Sequence, residues 1–368
     1  MTENQKIFNE LYQSQGGRID FPAAQSLQTT ADYLRRFYPS LPDVHIDFTA
    51  STAINASASL FKGKYFVALN VGTFAAIQDM FTKMLASRDV LVANGNPYNE
   101  TSEKKLLNLL LSPTGLEFPI PPINPPTSIN DPDRAYLASF YVTFALNFIL
   151  IHEFAHIIRG HVGYINYQTR SATFSEIDYN SALTSEMNMS FFQTLEMDAD
   201  SMALNRSFLI AEENMEWAKN SGKVEFPIFR DWETFIFHWT FAIYCLFRLF
   251  GFENIELAKA KQFKHPPPSI RMGMLISNIN TIFIKRNHSD VRKIAEVATS
   301  ATAHAEEAFK SVSFASDRFD TFLSNWQNKD LSRYMLETAK NWNNVRPLLE
   351  PFAFGTLPPL SDINLSNT

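Results

Sequence analysis

From Tyr136 to Ile151 the chain runs sixteen residues without a charged side chain, then continues straight into His152, Glu153 and His156 of "ILIHEFAHIIRGH" (149–161). A run this long exceeds the usual strand and points to a buried helix. Asp131-Pro132 marks its start, an N-cap acid followed by proline at the first helical position. The predicted helix extends to about Gly160, on the order of 40 Å. A membrane span wants about 20 mostly apolar residues. This run meets His-Glu before that, and the other apolar stretch, Phe235–Phe252, carries His238 and Arg248. Both are expected to be core helices, with a membrane-embedded protein as the alternative.

On a helix, residues four apart lie about 40° apart around the axis, so His152 and His156 share a face and can bind one zinc ion together. Glu153 projects about 100° from His152, placed to reach a metal-bound water rather than the metal. In zinc peptidases the metal lowers the pKa of that water and the glutamate takes its proton. Two buried histidines with backbone or carboxylate partners would read the same, and HExxH arises by chance in about one such chain in a hundred. The third ligand decides, because a catalytic zinc has three protein ligands and an open position. The metzincin pattern needs glycine at position 159 and histidine at position 162; the chain has Arg159 and Val162. If the helix continued, His161 would lie about 180° from His152, which makes it a structural residue or a helix-end cation.

A glutamate from a second helix is the other common solution, and "FFQTLEMDADSMAL" offers Glu196, with Asp200 one turn further on the same face. Glu196 would bind zinc, and Asp200 would accept the remaining ring N–H of a ligand histidine. Ala199 and Ala203 are small enough for close packing against the first helix. Alone, Glu196, Asp198 and Asp200 read as a solvated acidic face. Their neighbours Phe191, Phe192, Leu195, Met197 and Met202 argue against that, because acids among large apolar groups are costly to bury without a cation.

The rest of the chain narrows the class. With 33 phenylalanines and 12 glycines in 368 residues, an aromatic-rich helical interior is expected over a glycine-turned all-β fold. A net charge of −6 without a long basic run argues against nucleic acid as a partner. The single cysteine, Cys245, excludes an intrachain disulfide and a Cys-rich zinc ribbon. The start "MTENQKIFNELYQSQGG" lacks a basic segment followed by an apolar one, so a cytoplasmic protein is expected.

The predicted fold is α+β and mostly helical, with a small antiparallel sheet beside the long HExxH helix. Strands are expected at Val44–Phe48, Thr52–Leu60 and Tyr65–Val71, with "FKGK" as a turn. Residues 74–111 read as helices broken by "NGNPYN". Further helices are expected near Met187–Ile210, after a polar stretch at 166–186, and at Trp232–Phe250. The domain organisation is an N-terminal helical segment (1–43), a main domain (44–288) with a proline-rich insertion at 113–132, a C-terminal helical region (289–354) and a flexible tail (355–368).

"HEFAHIIRGH" followed by "EMDAD" resembles the gluzincin metallopeptidases that include the CAAX-prenyl proteases and the HtpX heat-shock proteases. Their pattern is HExxH with a nearby downstream histidine, then E-x-x-x-D with alanine before the aspartate. "HPPPSIR" (His265–Arg271) matches the His-Pro-Pro-x-x-x-Arg signature of that group. "STAINASASLFKGKYFVALNVG" resembles its strand pair, including Asn55-Ala56. The resemblance covers about residues 44–275 in scattered blocks. Ala155 stands where glycine is usual, and the transmembrane hairpins of membrane-bound relatives are not evident, which implies a soluble member. A looser resemblance, over HExxH alone, is to the phage-exclusion (Lit-like) metallopeptidases, cytosolic proteins aimed at host proteins.

The resemblance implies a zincin-like domain over 44–288 with one catalytic Zn2+ held by His152, His156 and Glu196. Glu153 would be the general base, with Asp200 supporting a ligand. It places His265 near the metal as a donor to the oxyanion, and pairs Arg271 with an acid such as Asp200 or with substrate. Asn55 and Ala56 would lie on an edge strand that takes up an extended peptide by β-augmentation, its polar face exposed. The function implied is a zinc-dependent endopeptidase that hydrolyses peptide bonds of a protein or peptide substrate through a zinc-bound water. The alternatives are a catalytically idle zincin-fold module used for protein binding and a membrane-associated protease of the same family.

Overall fold

The computed structural model describes residues 1–112, 115–120, 122, 126–169, 173–175, 188–221, 227–251, 257–313, 326 and 328–359. Helices α1 (Glu3–Leu11) and α2 (Ala24–Arg35) flank the two-residue strand β1 (Arg18–Ile19). Strands β2 (Val44–Thr49), β3 (Ala56–Phe61) and β4 (Lys64–Asn70) follow, then α3 (Val71–Leu85) and the short hairpin β5 (Leu110–Ser112) and β6 (Gly115–Glu117). The long helix α4 (Pro132–Ile158) leads into α5 (His161–Thr169), strand β7 (Thr173–Ser175) and α6 (Met189–Ser221). Helices α7 (Trp232–Phe250), α8 (Leu257–Ala260), α9 (Pro268–Lys285), α10 (Val291–Val312) and α11 (Leu331–Leu349) complete the chain. The fold is α+β and mostly helical, with the sheet beside the HExxH helix.

The main sheet has the order β1-β2-β4-β3-β7. Its pairing departs from the expected all-antiparallel form in one place, since β2 and β4 run parallel. The hairpin β3–β4 turns at Lys62-Gly63, both with positive φ (50° and 72°), the backbone a tight two-residue hairpin requires. Alternation sorts the two faces. Ala56, Ala58, Val67 and Leu69 join the main core, while Phe66 and Ala68 pack with Phe8 and Tyr12 on the other side. The polar positions of β3, expected to be exposed, are therefore covered. Ser57 and Ser59 are buried, and the Tyr12 hydroxyl lies 2.8 Å from Ser59 Oγ while Ser57 donates to it at 3.2 Å.

Helix α4 begins as the dipeptide Asp131-Pro132 dictates, with the Asp131 carboxylate accepting from Arg134 N at 3.1 Å. It packs against α2, α3, α6 and α7. Among the described residues it is the one helix long and apolar enough to cross a membrane, and more than half of its apolar window is buried inside the protein. Arg134, fully buried, donates to the carbonyls of Leu85, Ser87, Val90, Leu91 and Asn94 at 2.7–3.2 Å. That ring of contacts explains a departure from expectation. After α3, the only helical turn within residues 86–109 is the 3-10 turn at Pro97–Asn99; the guanidinium binds these carbonyls in place of a continuing helix, with Ser87 O and Leu91 O also accepting from Val90 N and Asn94 N.

The proline-rich insertion contributes β6 and docks on the loop before β3, with Ile54 N donating to Leu116 O and Phe118 N to Thr52 O. Its positions 113, 114, 121 and 123–125 lie outside the described residues, as does most of the polar stretch at 166–186. The C-terminal helices share the main core: α10 packs on α7 and α11 on α6. The tail, expected to be loose from Gly355, is held as far as Pro358. Leu357 is buried, and Trp342 Nε1 donates to Pro358 O at 2.9 Å; residues 360–368 lie outside the described set.

Helix α4 is closed off by Gly160, just past its Arg159 C-cap, with φ +81°. A Cβ there would come within 2.8 Å of Ala353 N, Leu349 O and Phe352 C. Gly160→Ala meets both the left-handed backbone penalty and overpacking, and is expected to cost about 2–4 kcal/mol. Thermal unfolding should show a midpoint several degrees lower; a midpoint equal to wild type would refute the requirement.

Candidate metal centre

Three helices and one loop bring the polar residues of the core together. Helix α4 contributes His152, Glu153 and His156, α6 contributes Glu196, Asp198 and Asp200, and α9 contributes Arg271 from its first turn, with His265 on the loop before it. Close approach of α4 and α6 follows from Ala199 and Ala203, both fully buried. All the α4 and α6 acids and histidines of this set are buried, and His265, about 20% exposed, is the part that meets the surface.

His152 Nε2 and His156 Nε2 face each other at 3.0 Å, and each lies 3.5 Å from a Glu196 oxygen. Ligand atoms held about 2.0–2.1 Å from a tetrahedral zinc sit about 3.3 Å apart. The donor set, two imidazoles and a carboxylate, therefore fits a zinc-sized ion in spacing as well as in chemistry. Without a cation between them, three buried polar groups at this spacing would be costly.

The far sides of the histidine rings are also engaged. His152 Nδ1 lies 2.9 Å from Asp200 Oδ1, and Asp200 receives a two-pronged contact from Arg271, Nε and Nη2 each at 2.8 Å. The Arg271 guanidinium also lies over the Phe247 ring and 3.6 Å from Glu196. Burial acts to raise the Asp200 carboxyl, but Arg271 and His152 outweigh it and hold the group below the usual range. Burial likewise works against ionised Glu196, yet His265, His152 and His156 together hold it well below the ordinary carboxylate value. The His156 imidazole is driven well below its usual pKa, first by burial. It stays neutral, the form that can bind a metal.

His265 Nδ1 lies 3.2 Å from Glu196 Oε2. Its loop is fixed from beneath by Gln193, one turn before Glu196, which donates to Ala260 O (2.8 Å) and Phe263 O (2.6 Å) and accepts from the Tyr334 hydroxyl (2.8 Å). Neither Gln193 nor Tyr334 carries a sequence signal that would have marked it. Glu153 is buried on α4 beside the histidines, and its charge is felt at the Tyr12 hydroxyl, whose pKa is pushed up to about 12 chiefly by burial.

Two expectations are corrected. His161 does not take the place opposite His152 that a continuing helix would give it: α4 ends at Ile158, and the turn through Gly160 brings His161, fully buried, back to His156 with Nδ1 to Nδ1 at 2.9 Å, the structural rather than the helix-end-cation reading. Burial holds its imidazole below the usual pKa. Asn55 and Ala56 do not lie on an open strand edge. The Asn55 N–H donates to Thr73 Oγ1, its carbonyl accepts from Asn70 N, and β3 beyond them is paired with β7 over Ser57–Ser59.

Over residues 113–298 the chain matches the family described as Peptidase U49. That Lit-like group is the looser of the two resemblances, and the matched span carries His152, Glu153, His156, Glu196, Asp200, His265 and Arg271. No curated protein and no solved structure matches the chain.

Proposed function

The chain belongs to the Peptidase U49 family, whose match spans just over half its length, and on that premise we propose that it is a zinc-dependent endopeptidase of gluzincin type. The observation that carries the proposal is the convergence of His152, His156 and Glu196 at the spacing a single zinc ion requires. When bound there, zinc would supply Lewis-acid polarisation and a water acidified to near neutral pKa.

The chain's own residues divide the remaining work. His152, His156 and Glu196 hold the ion. Glu153 accepts the proton of the attacking water at a carboxylate oxygen and passes it to the departing amine nitrogen. His265, the part of the cluster that meets the surface, donates a hydrogen bond to the carbonyl oxygen as negative charge develops on it. Asp200, held by Arg271, fixes the ring of His152 so that Nε2 presents its lone pair.

Purified protein is expected to contain one zinc per chain by elemental analysis. A chelator should remove the metal and the cleavage of a denatured-protein pool, read as new amino termini, and zinc should restore both. Metal-free protein that cleaves equally well would reject the reading. So would metal-loaded protein that produces no new termini, which would favour an idle binding module.

A further inference from the structure

The peptidase chemistry above makes no use of His161, Asp198 or Arg159, yet they form a line, buried at His161 and Asp198, behind one of the metal-facing histidines. His161 Nδ1 lies 2.9 Å from His156 Nδ1, and His161 Nε2 lies 3.3 Å from Asp198 Oδ2. The same Asp198 oxygen lies 3.4 Å from Arg159 Nε. Both His161 and Asp198 are buried, so this line is not a surface ion pair.

Only one placement of protons suits the line. If His156 Nε2 offers a lone pair to the metal, its proton sits on Nδ1 and needs an acceptor. The facing atom is His161 Nδ1, which must then be bare. The His161 proton therefore sits on Nε2, the nitrogen that faces the Asp198 carboxylate at 3.3 Å. A proton on both Nδ1 atoms would oppose two N–H groups at 2.9 Å.

Helix geometry shows why a histidine is interposed. Asp200 lies four residues after Glu196, about 40° around α6, and reaches His152 directly. Asp198 lies two residues after Glu196, about 200° around the same helix. The imidazole of His161 spans the gap between that carboxylate and His156. It is available only because the turn at Gly160 redirects the chain.

We propose that His161 is a positioning residue for the metal ligand His156: anchored by Asp198, it accepts the Nδ1 proton of His156 and fixes that ring's tautomer and orientation. The inference rests on the metal reading of the preceding section. A packing role is the competing explanation, and two substitutions separate the two. His161→Phe keeps the ring but removes the acceptor; His161→Asn loses ring volume but can place an amide oxygen where Nδ1 was.

The test measures zinc affinity by competition with a chromophoric chelator, alongside the melting midpoint of each metal-free protein. His161→Phe is expected to weaken zinc binding about 10–100-fold. His161→Asn is expected to stay within about threefold of wild type, even if its metal-free form melts lower. If the Phe variant does not fold, His161→Leu serves as the arm without an acceptor. Equal losses in the two arms, or a greater loss for Asn, would overturn the proposal and leave the metal reading intact. Wild-type protein that fails to bind zinc would overturn both.

Discussion

Glu153→Gln is expected to lower peptide-bond turnover by about 10²–10⁴-fold while zinc content remains that of wild type. The amide keeps the size and polarity of the carboxylate and cannot take a proton at neutral pH. The three converging ligand atoms belong to other residues, so the metal should stay. Glu153 is almost fully buried on α4, and the isosteric change avoids opening a cavity there. Elemental analysis and the appearance of new amino termini from a denatured-protein pool would be read on the same preparation. Unchanged turnover would remove Glu153 from the chemistry, and loss of zinc would show that it helps hold the ion.

Arg134→Ala is expected to be the most damaging single change to stability away from the metal. All five guanidinium N–H groups are spent on five backbone carbonyls of the segment 85–94. A buried acceptor left without a partner costs about 1–3 kcal/mol, and even with partial relaxation the sum should exceed about 4 kcal/mol. Lysine should rescue little of this, since an ammonium has three donors at one point and cannot span a planar fork. Denaturant unfolding gives the measurement; a loss below about 1 kcal/mol would mean that the loop finds other donors.

These expectations draw on features that were unequally legible in the sequence. Local signals fixed α4: Asp131-Pro132 opens it and Gly160 closes it, and the four-residue spacing puts His152 and His156 on one face. Glu196 was legible because an acid among phenylalanines, leucine and methionines needs a cation. The strands of the β3–β4 hairpin followed from alternation and from Lys62-Gly63. What escaped depends on contacts distant in sequence. Nothing near Arg134 announces the five carbonyls, each at least forty residues away. The covering of Ser57 and Ser59 by Tyr12 and the parallel pairing of β2 with β4 are likewise set by where other segments dock. The position of His161, though not its structural character, was missed for a local reason: extending the helix one residue past Gly160 reverses the side of the axis on which it lies.

Glu196, Asp198 and Asp200 all rise from one stretch of α6, and their counterparts His152, His156 and His161 come from α4 and the first residue of α5, which directly follows it. Six side chains thus share a single mechanical coordinate, the sliding of one rod along another. A shift of one helical residue, about 1.5 Å, would misalign all of these pairings at once. The centre is therefore keyed like a shaft, its pairings assembled in one axial position alone.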